Sequence, residues 1–462
     1  MSVRLREALR EAAADVPAYP VHDRAVRTAR RTRLRTAAVA AVVLAMTATV
    51  PLAVRGGGGG PAAPADAGGA ALPDRLGLPP LGALRATDRP RLGPASVVFS
   101  GQARGLTGLT DEDGTVGIVA ADADRYRNWT VGVEVPAGEG VLLSPDGRRL
   151  AVPDRSGFRP GINLIDLVTG TTRHLPSPRA GSSMTDPAGW APDGSALVVR
   201  DTTPANPEVS AHLNTLSLLR IDTGRAVRLL ETTQVPVFGT PVAFTADGSR
   251  LAYQVGDKVL VSGVDGRQIS SFALPAESAL AGKGAWLPDG SLALVGRDPA
   301  TDRWRLSRVD VEGRALPAPA LPAVSGVTAI RLLGWQADGS AWVVAYQPEP
   351  NMPFVPTSGL EIDQRTWYGH VRSIRVLGLS PGAAEPTMLL TAPDQVLAID
   401  VADAVVHAGR VREAHPPSGL GGRVWWGLAL AVLALAGVAA FRLSRRRARR
   451  GRRLSPGRAR RG

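Results

Sequence analysis

LLSPDGRRLAV (142–152), GWAPDGSALVV (189–199), AFTADGSRLAY (243–253), AWLPDGSLALV (285–295) and GWQADGSAWVV (334–344) are five copies of one pattern. Each sets an apolar residue, two variable positions, Asp-Gly, one or two polar residues and a β-rich run. The aspartates are Asp146, Asp193, Asp247, Asp289 and Asp338, separated by 47, 54, 42 and 49 residues. The paired glycines are Gly147, Gly194, Gly248, Gly290 and Gly339. Asp-Gly supplies the positive φ angles of a tight two-residue hairpin turn, and Pro145, Pro192 and Pro288 preset φ just before it. A second turn recurs in LIDLVTGTTRHL (164–175), LRIDTGRAVRLL (219–230), LVSGVDGRQISSF (260–272) and SRVDVEGRAL (307–316), so each repeat offers two hairpins.

Four strands in 40 to 50 residues cannot bury their own apolar faces, which makes each repeat the blade of a β-propeller rather than a sandwich or solenoid unit. The (W/F)xPDGxxLxx stretch resembles the blades of TolB-like and WD-repeat-like propellers over roughly 85–415. It lacks the Gly-His and Trp-Asp pairs of true WD repeats, so their hydrogen-bond network is not implied. Dividing that region by about 47 gives an all-β propeller of about seven four-stranded blades, with six as the alternative. A further blade is expected around Asp111 to Gly114 with TVGIVAA and NWTVGVEV. Strands near 396–399 and 404–411 are expected to join those near 84–100 and close the ring.

The chain has 462 residues, no Cys, and a net charge of +13. Thiolate catalysis, thiolate metal sites and disulfides are excluded. The basicity sits at the ends. Residues 1–55 hold ten Arg against four acidic residues and 424–462 hold eleven Arg and no acid, leaving 33 basic and 37 acidic residues between them. A nucleic-acid partner is therefore not expected.

TAAVAAVVLAMTATVPLAV (36–54) and VWWGLALAVLALAGVAAF (424–441) carry no charge, and each is bounded by Arg. Their lengths suit a bilayer core of about 30 Å. The organisation expected is a cytoplasmic basic segment (1–35), a transmembrane helix or alternatively a signal peptide (36–54), a flexible Gly/Pro/Ala linker (55–80), the propeller (81–420), a second transmembrane helix (424–441) and a cytoplasmic Arg-rich tail (442–462). Arg-rich flanks stay on the cytoplasmic side. This puts the propeller outside a membrane that the chain crosses twice.

The repeated aspartates read as turn formers, and Trp190, Trp286 and Trp335, with Phe244 at the matching position, as contacts between blades. Asp122 and Asp124, near Asp111 and Asp113, lack the spacing of a calcium loop, and the six His residues form no zinc pair. No nucleophile elbow, P-loop or dinucleotide fingerprint occurs. The insertions 201–213 and 347–372, the latter with Trp367 and Tyr368, are candidate binding loops. The function expected is a non-catalytic, extracytoplasmic interaction or sensing module for a protein or cell-envelope ligand, with no cofactor. The alternative is a propeller enzyme acting on a glycan or peptide through carboxylates in the central channel.

Overall fold

The computed structural model describes residues 69–451, apart from 80–83, 89–90, 102–113, 132–134, 156–158, 207–208, 234–241, 351–370, 395 and 418–421. Alternating apolar runs form strands in groups of four. After a short β1 (Leu72–Pro73), blade I takes β2 (Ala95–Gly101), β3 (Thr115–Ala120) and β4 (Tyr126–Thr130). Blade II holds β5 (Leu142–Leu143), β6 (Arg149–Pro153), β7 (Gly161–Asp166) and β8 (Thr172–Pro176). Blade III holds β9 (Met184–Trp190), β10 (Ala196–Asn206), β11 (Val209–Arg220) and β12 (Ala226–Thr232).

Blade IV follows with β13 (Val242–Phe244), β14 (Arg250–Val255), β15 (Lys258–Gly263) and β16 (Gln268–Ala273). Blade V has β17 (Ser278–Leu280), β18 (Leu292–Asp298), β19 (Arg303–Val309) and β20 (Ala315–Leu316), with β21 (Val324–Ser325) also paired to β19. Blade VI has β22 (Ala329–Trp335), β23 (Ala341–Pro348), β24 (Val371–Leu379) and β25 (Thr387–Thr391). Within each blade the strands pair antiparallel in sequence order. The first strands are mostly buried, whereas β8, β12, β16 and β25 are largely exposed and mark the outer rim.

The ring is closed by the C-terminal strand β26 (Val396–Val401), which pairs antiparallel with β2 and supplies the missing inner strand of blade I. Helix α1 (Asp403–Ala408) follows and ends on Gly409 in the left-handed conformation at φ 63°. Next, β27 (Val411–Arg412) pairs in parallel with β1. Arg412 Nη1 reaches Asp124 at 2.6 Å, and the Ala414 N–H donates to Asp74 at 2.9 Å. Leu72 and Leu76, inside the stretch expected to be a tether, are buried against this clasp side of the core.

The propeller therefore has six blades among the described residues, not seven. Division by an average repeat failed because blade III spends 11 and 12 residues on β10 and β11, and because β1 ahead of blade I pairs with β27 rather than within a blade. Strand β26 lies where a closing strand was expected, but most of the 404–411 stretch is helix α1. The insertion 201–213 belongs to the β10–β11 hairpin, whose pairing extends to Asn206 and Val209 with a register shift between Pro204 and Asn206.

The repeated turns differ from the expected two-residue type. In all five, the glycine N–H donates to the carbonyl three residues earlier, at 2.8 Å for Gly147 to Ser144 and up to 3.0 Å for Gly290 and Gly339. The glycines have φ between 67° and 83°, and none of the five aspartates has positive φ. Pro or Ala and Asp occupy the centre of the turn, and Gly forms the left-handed bulge residue after it.

Blades stack face to face. Val198, Leu216 and Leu218 of blade III pack with Leu251, Tyr253 and Val255 of blade IV, while Ile162 and Leu164 of blade II meet Leu197 and Val199 of blade III. The repeated tryptophans also cross seams between neighbouring blades. Trp190 Nε1 donates to the Leu142 carbonyl at 3.4 Å, Trp286 to Ala243 at 3.1 Å, and Trp335 to Gly284 at 2.9 Å, each in the preceding blade. Arg250 lies over the Trp286 ring at 5.3 Å, adding a cation–π contact.

Residues beyond the propeller form a separate unit whose described element is helix α2 (Gly422–Gly451). It contains the uncharged stretch 424–441 but runs on without interruption through Arg442, Arg445, Arg446, Arg447, Arg449 and Arg450. Leu428, Val432, Leu433 and Leu435 on it are exposed. Among the described residues, no helix is long and apolar enough to cross a membrane. The first candidate span, 36–54, lies outside the described residues. The expectation of a two-pass chain with both termini cytoplasmic and the propeller outside is corrected on this finding.

The turn glycines separate two costs. A Cβ on Gly194 would meet no atom within 4 Å, so Gly194→Ala bears only the left-handed φ and should lose about 1 kcal/mol. A Cβ on Gly147 would run into the Ala95 carbonyl of blade I, so Gly147→Ala should lose at least about 2 kcal/mol, both read from denaturant unfolding.

Candidate functional site at the propeller axis

The inner strands of a propeller run side by side around a central channel, so their side chains converge although they are far apart in sequence. Here they line a pocket holding about 830 Å³ of empty space, part of it open to solvent. Leu142, Leu143, Val242, Phe244 and Leu280 form apolar walls, with Trp190 beside them. Pro192 of a repeated turn is also part of the lining, so the pocket reaches the rim that carries the Asp-Gly turns. Its charged members are Glu139, Lys283, Arg331, Asp400 and Asp403, contributed by blades II, V, VI and I and by α1.

Lys283 follows β17 and extends to the closing strand. Its Nζ lies 2.9 Å from Asp400 Oδ1 and 2.8 Å from Asp403 Oδ1, and also donates to the Val401 carbonyl. Burial works against its charge, but the two carboxylates outweigh that and hold its pKa above the ordinary value. The second oxygen of Asp400 accepts the Leu143 N–H at 2.9 Å, tying blade I to blade II. A buried carboxylate is tolerable only when paired in this way.

Arg331, on β22, is buried. It donates to the Gly138 carbonyl at 3.1 Å, to Tyr346 Oη at 3.2 Å and to the Ile399 carbonyl. Burial pushes Tyr346 up to about 12, so its hydroxyl stays protonated. Gly138 has φ 86°, and a Cβ there would overlap the Arg331 guanidinium. Beside it, Glu139 is partly buried, but its Oε2 is shut off from solvent and has no hydrogen-bond partner among the described residues. Burial raises its carboxyl pKa to about 7, against the opposing pull of Arg331 and Arg200.

The repeated aspartates stay on the rim. Asp146, Asp193, Asp247, Asp289 and Asp338 each accept the N–H two residues on, at 2.9 to 3.1 Å. Asp247 also accepts from the Thr245 hydroxyl, and these bonds lower its pKa to about 2. Trp367 and Tyr368 lie outside the described residues, as do Asp111 and Asp113. Asp122 pairs with Arg125 at 3.0 Å, and Asp124 belongs to the terminal clasp. Among the described residues, no group of three His, Cys, Asp or Glu is placed to hold a metal ion.

None of the axial charges was singled out from sequence. Two signals were present: Lys283 is one of only two lysines in a chain with 52 Arg, and Glu139 stands between Gly138 and Gly140.

No protein-family model and no curated protein matches the sequence. Among solved structures the chain is similar to an oligogalacturonate lyase in complex with manganese, at 15% identity, covering 68% of this chain and 88% of that one with a TM-score of 0.38. It is also similar to TolB from Acinetobacter baumannii, at 16% identity over 64% and 67% of the two chains with a TM-score of 0.36. An oligogalacturonate lyase from Vibrio parahaemolyticus matches at 12% identity over 69% and 79%, with a TM-score of 0.40. These neighbours include TolB, whose blades the repeat resembles.

Lys283→Met keeps the alkyl stem but leaves Asp400 buried without its cation. Unfolding free energy should fall by about 3 kcal/mol, and adding Asp400→Asn should restore part of the loss. The rim carboxylate behaves differently with pH. The folded pKa of Asp247 lies below its unfolded value, so its contacts stabilise fully above pH of about 4 and are lost as pH falls through about 2. The Tm difference between the native chain and Asp247→Asn should shrink over that interval.

Proposed function

We propose that this chain is a non-catalytic binding module that takes a protein or cell-envelope ligand at the axial pocket. The observation that carries the reading is the composition of that pocket, with apolar walls drawn from successive blades and a few fixed polar groups between them. Such a lining suits recognition of a small group or an inserted side chain, because apolar area supplies affinity and sparse polar atoms supply orientation. Rigid support comes from the inter-blade bonds of Asp400 and Arg331, which hold the charged groups at set positions before a ligand arrives.

A second reading, an enzyme acting on a glycan or peptide, is favoured by Glu139. A carboxyl group held near neutrality by burial, in a pocket that also contains Asp400 and Asp403, has the properties of a general acid or base.

The two readings separate in one experiment. The full chain is incubated with oligosaccharide and peptide pools, and both bound material and products are analysed by mass spectrometry. The binding reading expects unaltered ligand that is retained by the native chain and lost from Ala188→Phe, because Ala188 on β9 lines the pocket and the larger ring would occupy it. Cleaved products that disappear in Glu139→Gln would replace it with the enzymatic reading. Retention by Ala188→Phe equal to that of the native chain would move the site elsewhere.

A further inference from the structure

Two observations at the axis remain unused by the fold. Lys283 and Arg331 are fully engaged, the first by two carboxylates and a carbonyl, the second by two carbonyls and a tyrosine hydroxyl. Glu139 has no such partner at Oε2. With Glu139 ionised, the pocket lining holds three carboxylates against two cations, and Arg200, which also acts on Glu139, is held by Asp186 at 2.9 Å. The charge deficit and the unpartnered acceptor fall on the same residue.

Position within the pocket matters as well. Glu139 precedes β5, whereas the Asp-Gly turn follows β5, so the carboxyl belongs to the end of the inner strand away from the turn-bearing rim. Pro192 marks that rim. Leu142, Leu143, Val242 and Phe244 add hydrocarbon lining to the same pocket. Asp403, whose neighbour Ala404 donates to the Pro145 carbonyl of a repeated turn, stands on the rim side but is already held by Lys283 at 2.8 Å, so Glu139 is the carboxylate of the pocket left without an ion-pair partner among the described residues. An unbranched alkyl stem ending in a compact cation matches that lining and that acceptor.

We infer that the axial pocket binds an alkylammonium group, such as a lysine side chain of a protein partner, with the stem along the apolar walls and the ammonium on the Glu139 carboxylate. This deepens the proposed function and rests on the axial pocket being the binding site. Carboxylate or phosphate ligands fit less well, because the cations that would receive them are already paired. A charge-assisted bond to a partly buried carboxylate is stronger than a neutral one.

A pH signature follows. The charged and titratable groups that act on Glu139 are Arg331 on β22, Arg200 on β10 and Tyr346 on β23, with Asp400 on β26 acting on Arg331 and Tyr346. Arg331 is held above its ordinary value and stays charged, and Tyr346 stays protonated until about 12. Glu139 itself changes state near pH 7. An ammonium favours its ionised form, so binding below pH 7 expels one proton. Affinity should rise about tenfold per pH unit below 7 and then level until the amine itself loses its proton near 10.

The test titrates the full chain with n-hexylamine, n-hexanol and hexanoate, using ligand-observed NMR between pH 5 and 8.5. The expected result is an amine preference of at least tenfold over the alcohol at pH 8, a one-proton rise in amine affinity below pH 7, and loss of the preference in Glu139→Gln. Because Glu139→Gln removes a charge that burial opposes, it should be at least as stable as the native chain above pH 7, as checked by thermal unfolding. Equal binding of amine and alcohol, both lost in Ala188→Phe, would overturn the inference while leaving the pocket as a binding site. Preference for hexanoate would overturn it in the same way. Absence of pocket-dependent binding by all three probes would overturn both the inference and the reading beneath it.

Discussion

Ring closure is the constraint on which this molecule depends. A four-stranded blade has two apolar faces and can cover them only by stacking between neighbours, so an open row would leave its first and last blades uncovered. Strand β26 removes those ends by joining the last segment of the propeller to the first, with Val97 to Gly101 facing Val396 to Val401. The parallel β1–β27 pair and the Arg412–Asp124 contact add a second fastening outside the first. Antiparallel pairing inside the blade sets register, while the clasp resists peeling of the terminal strand.

Closure also creates the axis. Once β26 becomes an inner strand, Asp400 faces Lys283 and donates structure to three blades at once: its oxygens meet the Lys283 ammonium and the Leu143 N–H, and its own strand completes blade I. Charge at the centre thus replaces some of the apolar contact that stacked sheets lack near a channel. Each ion in that position has a desolvation cost, which explains why the cations are surrounded by several acceptors rather than one.

The repeated residues divide by role. Asp at the turn keeps its carboxylate on local N–H groups at the rim, and the tryptophan three positions earlier reaches across the seam to the preceding blade. Both are products of the repeat, so both recur. The groups with individual chemistry, Glu139, Lys283, Arg331 and Asp400, occur once each. In this fold, repetition marks scaffold and singularity marks the axis.

The sequence by itself determined the blades. Asp-Gly turns, alternating apolar runs and period are local, and a local conformational preference is visible within ten residues; this is why β5 to β25 fall where the five repeats lie. The blade count was less legible, since blade I takes strands from opposite ends of the chain and has no inner hairpin turn to announce it. Long strands in blade III and the helix α1 after β26 also disturb an average spacing. The pattern of uncharged and Arg-rich stretches at the termini was legible as composition, yet 424–441 is one part of a continuous helix rather than a separately bounded span. Tertiary structure alone decided the candidate site. Glu139 and Asp400 are 261 positions apart in the chain, and no local preference records that a closed ring will place them around one pocket. Turn geometry is fixed by neighbours in sequence, whereas convergence at an axis is fixed by the rotation of whole blades about it.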